Sequence, residues 1–326
     1  MKKVRFWLVL TLIGALAVSG CARSATKSGE PRTVKLAMGF IPNVQFTPVY
    51  VAVDKGYFAE EGIAIEFDYG MEHDLLKLAG TNELQFVVGS GDQVIMARSQ
   101  ELPVVYVLNW YRRFPVSVAA LEPLSAPEDL IGKTVGIPGL YGASYIGWLA
   151  MLNAAGIDPA AVNLISIGYT QAESLATGQV DAAVVYAMNE PVRLREQGYE
   201  VSELLVADYV DFVSNGLITN EKTIKEQPDL VREMARAIIR GLQDTLNDPD
   251  AAFAICRRYV PEIDDAGAPL QRAVLQAALD FWRGDLLGPS DPAAWEASVA
   301  FMRQSGMIEA DLDASKLYTN EFVTAK

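Results

Sequence analysis

An α/β fold in two lobes, each a mostly parallel sheet flanked by helices, is what this 326-residue chain predicts. Three observations carry that expectation. From residue 33, short apolar runs of strand length alternate with helix-length segments. The alternation restarts after Ser125-Ala126-Pro127-Glu128, a pattern that matches a helix start with Pro near its first turn. After Asn220 the chain turns almost wholly helical, and those helices are expected to pack back on the first lobe.

The N-terminus belongs to neither lobe. Lys2, Lys3 and Arg5 precede an apolar run that reaches Val18 and closes on Val18-Ser19-Gly20-Cys21. A basic start, a short apolar core and a small-residue cleavage site predict a secretory signal over residues 1–20. The run is too short and wrongly flanked for a spanning helix. Its end on cysteine resembles bacterial lipoprotein signals, which implies that Cys21 is lipidated and becomes the first residue of the mature chain. Residues 21–32, rich in Ser, Ala, Lys, Gly and Pro, read as a flexible spacer off the membrane.

The first lobe opens with a strand at 34–38, broken by Pro42-Asn43; Pro48 can start the next helix, which runs towards Tyr57-Phe58. A second strand spans 63–69, with Ile63, Ile65 and Phe67 on one face. Residues 75–78 are helical, 84–88 form a strand, and Ser90-Gly91-Asp92 caps a helix through Arg98. Strands follow at 104–108 and 116–119. The second block gives a strand at 134–137, a helix at about 144–155, a strand at 162–167, a helix at 171–176 and a strand at 182–186. The chain leaves through 202–207 and 212–219, then forms helices over 229–246, 250–259, 271–282 and 292–304. Two crossings, near 118 and 217, place lobe 1 at 33–118 and 218–326 and lobe 2 at 119–217, with hinge strands near 116–120 and 213–219.

Composition narrows the function. The formal charge is −14, and loss of the basic signal makes the mature part more acidic still. Such a surface repels phosphate backbones, so nucleic acid is not an expected partner. It also opposes long-range steering of an anionic ligand. The chain holds two cysteines; with Cys21 claimed by lipid, Cys256 stands alone and no internal disulfide forms. A lone cysteine on an apolar helix face is read as a small core residue. The one histidine, His73, argues against most zinc sites and against a Ser-His-Asp triad. Neither a metal nor a cofactor is expected.

Several segments together resemble a known group. Gly39-Phe40-Ile41-Pro42-Asn43, Tyr50-Val51-Ala52 and Lys55-Gly56-Tyr57-Phe58 with Glu61-Gly62 look like the opening of substrate-binding proteins of ABC importers, in the subgroup for pyrimidine precursors, sulfonates and riboflavin. Asp129-Leu130-Ile131-Gly132-Lys133-Thr134-Val135-Gly136 resembles the start of that group's second lobe. Gly178-Gln179-Val180-Asp181-Ala182-Ala183 resembles its next helix-to-strand turn, and Tyr318-Thr319-Asn320-Glu321-Phe322 its terminal segment. The resemblance implies a type II periplasmic-binding-protein clamshell, monomeric and without catalytic chemistry. Such a clamshell closes on a small molecule by differential affinity and delivers it to a permease and its ATPase.

Within that group Ile41-Pro42-Asn43-Val44-Gln45-Phe46, Glu66-Phe67-Asp68-Tyr69 and 105–111 look most like the riboflavin-binding members. Pyrimidine-precursor binders typically carry histidine near the place of Phe46, a departure that favours riboflavin. The alternatives are a thiamine pyrimidine precursor and an alkylsulfonate or taurine. Fungal pyrimidine-forming synthases share the architecture but bear a cysteine-rich iron motif, which this chain lacks.

Ligands of open α/β sheets sit beyond the carboxyl ends of strands. Those positions offer Phe40, Asn43 and Phe46, then Tyr69, Glu72 and Asp74, then Ser90, Gly91 and Asp92, then Asn109, Trp110 and Tyr111. The second block adds Tyr141, Ser144 and Tyr145, then Tyr169 and Gln171, then Tyr186, Asn189 and Glu190. Aromatic rings separated by amides, hydroxyls and carboxylates suit a flat neutral ring with polar edges; stacking contributes about 1–3 kcal/mol per ring on the nucleobase scale. Simpler roles compete: lobe-edge packing for Trp110-Tyr111, a solvated helix start for Glu72-His73-Asp74, an ordinary N-cap for Ser90-Gly91-Asp92 and gap filling for Met71 and Met96. Arg112 and Arg113 are the only basic pair nearby, whereas a sulfonate needs a cationic clamp or a free helix N-terminus such as Ser90-Gly91 would supply.

The anchor expectation is testable directly: Cys21→Ser should shift the protein from the membrane to the soluble fraction on cell fractionation, and retention would remove the basis for a lipid at that residue.

Overall fold

Alternation in the first run of the mature chain sets β1 (Arg32–Met38), in which Val34, Leu36 and Met38 are buried while Lys35 is exposed. The computed structural model describes residues 30–323; the signal segment, Cys21 and most of the spacer lie outside them. The chain continues through α1 (Thr47–Asp54), α2 (Tyr57–Glu60), β2 (Ile63–Tyr69), α3 (Glu72–Gly80), β3 (Phe86–Ser90), α4 (Gly91–Ser99) and β4 (Val104–Asn109). Next come β5 (Val116–Ala120), β6 (Thr134–Ile137), α5 (Gly142–Ala154), β7 (Asn163–Ser166), α6 (Gln171–Ala176), β8 (Ala182–Tyr186), α7 (Glu190–Glu196) and β9 (Ser202–Leu205). The last part is β10 (Asn215–Asn220), α8 (Glu221–Glu226), α9 (Pro228–Asn247), α10 (Pro249–Tyr259), α11 (Ala268–Trp282) and α12 (Pro292–Gln304).

Two five-stranded sheets result, with orders β2-β1-β3-β10-β4 and β7-β6-β8-β5-β9. The pairs β1–β2, β1–β3, β6–β7 and β6–β8 are parallel. One strand runs against each sheet: β10 is antiparallel to β3 and β4, and β5 to β8 and β9. This is the mostly parallel, two-lobed plan expected from the sequence.

The crossings fall slightly ahead of their expected places. The strand at 116–120 lies wholly in the second sheet, and the strand at 215–220 wholly in the first. Each is hydrogen-bonded on both sides. The segments that pass between sheets are 110–115 and 206–214.

Local chemistry explains the remaining differences. The helix expected after Ser125 is a single 3-10 turn, Pro127–Leu130, because Ile131 is extended and Gly132 turns the chain at φ 78°. The short helices α7 and α8 were not expected; Asn220 caps α8 by accepting from the Thr223 N–H at 2.8 Å.

Of the terminal helices, α9, α10 and α11 pack on the first sheet's core, where Cys256 is fully buried. The helix α12 instead lies where residues of both lobes meet: its Trp295 packs edge-on to Tyr106 of β4 and stacks on Tyr318, and its Phe301 leans on Phe212. Tyr106 donates its N–H to Leu317 O and accepts from the Thr319 N–H, both at 2.9 Å, so the C-terminal segment lines the free edge of β4.

The helix α9 shows how sequence period becomes packing. Leu230, Val231, Met234, Ile238 and Leu242 are buried, while Arg236 and Arg240 pair outside with Glu61 and Glu60, each at 2.6 Å. Gly241 lets α9 reach α1: a Cβ there would come within 2.1 Å of Pro48 O. Gly241→Ala should therefore destabilise the fold by about 1–3 kcal/mol, the usual cost of overpacking; an unchanged urea midpoint would show that the helices separate freely.

Candidate functional site

Because parallel strands point their carboxyl ends the same way, the loops after β1, β2, β4, β6, β7 and β8 converge between the lobes. They enclose a cleft of about 870 Å³, within the range of about 300–1,000 Å³ usual for small-molecule sites. Lobe 1 contributes Phe40, Asn43, Gln45, Phe46, Met71, Glu72, His73, Gln93, Met96, Trp110, Tyr111 and Asn215. Lobe 2 contributes Leu140, Tyr141, Ser144, Tyr145, Ile146, Tyr169, Gln171, Tyr186, Asn189 and Glu190, and Met307 reaches the cleft from beyond α12.

Most residues anticipated from sequence thus share one lining, but six do not, among them Asn109, whose Oδ1 accepts from the Tyr106 hydroxyl at 3.0 Å inside the first lobe. Tyr69 turns away from the cleft: its hydroxyl lies 3.0 Å from that of Tyr50 and its ring runs beside Phe67, in a cluster with Tyr259. Asp74 sits on the exposed side of α3, 3.3 Å from both His73 and Lys77. Ser90, Gly91 and Asp92 are buried behind the wall. A Cβ at Gly91 would come within 2.5 Å of Val213, so the start of α4 is sealed by packing.

Glu72 reverses its expected role. Far from a solvated helix start, its Oε1 accepts from the Ser90 N–H and from Ser90 Oγ, the latter at 2.7 Å. Ser90 therefore makes no side-chain cap to α4 and serves the carboxyl instead. Burial foremost, then the neighbouring Asp92, pushes the Glu72 carboxyl above the usual range against the pull of the Ser90 donors. Burial raises Asp92 too, against bonds from Gln93 and Ser90. Glu190 is raised by burial while it accepts from the Tyr186 N–H at 3.1 Å. The acids at this cleft therefore hold protons more tightly than surface acids do.

Trp110 and Tyr111 combine packing with lining. They are 1% and 5% exposed, and their rings lie 5.9 and 5.8 Å from that of Trp282. Both donate their N–H to Asn215 O, at 3.0 and 2.9 Å, which fixes them as the cleft floor. The mouth is different: Phe40, Tyr141 and Tyr169 are 38%, 59% and 62% exposed. Phe40 of lobe 1 faces Tyr169 of lobe 2 at 6.0 Å between ring centroids.

A second cross-lobe contact went unread in the sequence. Gln45 Nε2 donates to Asn189 Oδ1 at 2.7 Å. Gln45 is placed by Asn43, whose Oδ1 accepts the Gln45 N–H at 2.8 Å and so starts the 3-10 turn Val44–Phe46. A loop amide after β1 was available as a signal for Gln45. Nothing local marks Gln93, Leu140 or Met307, which only tertiary packing brings to the site.

A two-lobed fold with an interlobe cleft on its switch-point loops is the plan of solute-binding proteins. The chain belongs to the NMT1/THI5 like family, which matches residues 43–252. Among its relatives, the riboflavin-binding protein RibY of Chloroflexus aurantiacus is 44% identical over 347 residues, 99% of each chain. The formylaminopyrimidine-binding protein of Halalkalibacterium halodurans is 27% identical over 97% of this chain and 98% of its own. In fold, the chain is similar to the periplasmic aliphatic sulphonate binding protein SsuA of Escherichia coli, with a TM-score of 0.72 at 12% identity, over 88% of this chain and 97% of that one. The fold is the type II periplasmic-binding-protein plan.

The Gln45–Asn189 bond is expected to favour the closed arrangement. Asn189→Ala should enlarge the radius of gyration measured by small-angle scattering and weaken ligand capture several-fold, as a smaller closed population requires; unchanged scattering and affinity would reduce the contact to a bystander.

Proposed function

We propose that this protein captures riboflavin between its lobes outside the cytoplasm and hands it to the permease and ATPase of an ABC importer. It acts as a monomer tethered by lipid on Cys21 and carries out no covalent chemistry. The observation that carries the ligand is the lining: rings of Phe40, Phe46, Trp110, Tyr111, Tyr141, Tyr145, Tyr169 and Tyr186, with amides and acids but no lysine or arginine among the described residues. Aromatic faces stack on a flat heterocycle. The amides of Gln45, Gln93, Gln171, Asn189 and Asn215 suit its carbonyl and N–H edges, and the carboxyls accept from a hydroxylated chain. The likeness to RibY along the whole chain agrees with that chemistry.

A binding rather than a catalytic role is supported by the residues present. Other relatives, 22–25% identical, are named as phosphate synthases of a hydroxymethylpyrimidine. Here the single histidine stands exposed at the cleft mouth, and Cys256 is buried away from it in α10. Among the described residues no cluster of His, Cys, Asp and Glu could hold a metal ion. No helix of those residues is long and apolar enough to cross a membrane, so the tether would have to come from outside them.

Riboflavin emission should fall on mixing with the purified mature chain at micromolar concentration, through stacking on the floor and walls, and a melting-point rise should accompany it. Unchanged emission together with a rise for hydroxymethylpyrimidine would transfer the assignment to a pyrimidine precursor.

A further inference from the structure

The start of α4 is where a phosphate or sulfonate would be expected to dock, since a helix N-terminus offers N–H groups and a partial positive charge. In this protein that place is taken. The Ser90 N–H and Oγ both point to Glu72 Oε1. The seat is shaped for the carboxyl: a Cβ at Gly89 would come within 2.8 Å of Glu72 Oε1, and one at Gly39 within 3.3 Å of its Cγ. Asp92 lies behind it, 3% exposed, and Glu190 adds a third acid on the opposite lobe.

Cations around the cleft are committed elsewhere, as Arg193 is to Glu173 at 2.7 Å. Arg112 Nη1 donates to Pro289 O at 2.7 Å, and Arg113 Nη2 pairs with Asp208 at 2.7 Å. The opposing feature is the N-terminus of α5, which has no side-chain cap and no acid in its first turn. Its partial charge of roughly half a unit can serve a carbonyl oxygen.

We propose that Glu72 is a specificity-determining residue: by filling the anion position at α4, it makes the cleft accept uncharged ligands and reject their phosphorylated or sulfonated counterparts. This deepens the riboflavin assignment and rests on it for the identity of the neutral ligand. Rejection here works by denial of a donor site, because the Ser90 N–H and hydroxyl that an anion would use are already given to Glu72.

The test compares riboflavin with riboflavin 5′-phosphate by calorimetry on the mature wild-type chain, then on Glu72→Gln and, in case that variant folds poorly, on Gln93→Lys, which sets a cation in the same wall. Wild type should bind riboflavin at least about tenfold more tightly than the phosphate, and either variant should narrow that ratio by about fivefold or more. Equal binding of the two flavins by wild type, or a ratio unmoved in both variants, would overturn the proposal. If wild type binds no flavin at all, the ligand assignment fails on its own; ethanesulfonate and inorganic phosphate then decide. Heat of binding for either anion overturns the exclusion, and none upholds it.

Discussion

One carbonyl organises the molecule. Asn215 O receives the N–H of both Trp110 and Tyr111, so the outward crossing after β4 and the return into β10 are pinned at the same point. That point is the floor of the cleft. The two rings above it pack on Trp282 of α11, which ties the floor to the first lobe's core. Above that fixed base the lobes touch at the rim, where Gln45 meets Asn189 and Phe40 meets Tyr169. A swing of the second lobe would change those rim contacts and leave the core undisturbed.

Charge follows the same division. The surface carries many ion pairs on exposed side chains, such as those of Arg236 and Arg240, and each of these adds little. At the cleft the acids of Glu72, Asp92 and Glu190 are largely desolvated. Carboxyls in that setting favour their neutral form, and their hydrogen-bond donors replace the solvent they have lost. A site built this way reads shape and hydrogen-bond edges, and leaves an anion no free donor at the start of α4.

Much of this was legible in the chain. The strands at 63–69 and 182–186 and the helices at 171–176 and 292–304 could be read because period and turn residues agree there. The site was legible at the level of loops: strand ends named Phe46, Trp110, Tyr141 and Tyr186, all of which line the cleft. What could not be read was direction. Tyr69 and Glu72 flank the same turn, yet one ring joins the Tyr50 cluster and the other side chain enters the wall, and only packing from Tyr50 and Ser90 decides which. The crossings were displaced for a similar reason. A strand running against its sheet has the same residue pattern as one running with it, so 116–120 and 215–220 gave no sign of which sheet would hold them.

The edge of β4 has a consequence for biogenesis. The first sheet needs the strand at 215–220 between β3 and β4, and residues near Tyr318 cover its border. A chain delivered only as far as Asn109 therefore has β3 and β4 without the strand that joins them, and a β4 margin with nothing against it. Late, long-range completion of this kind slows folding. The fold therefore stays open along this border until the C-terminal stretch has been made and laid against β4.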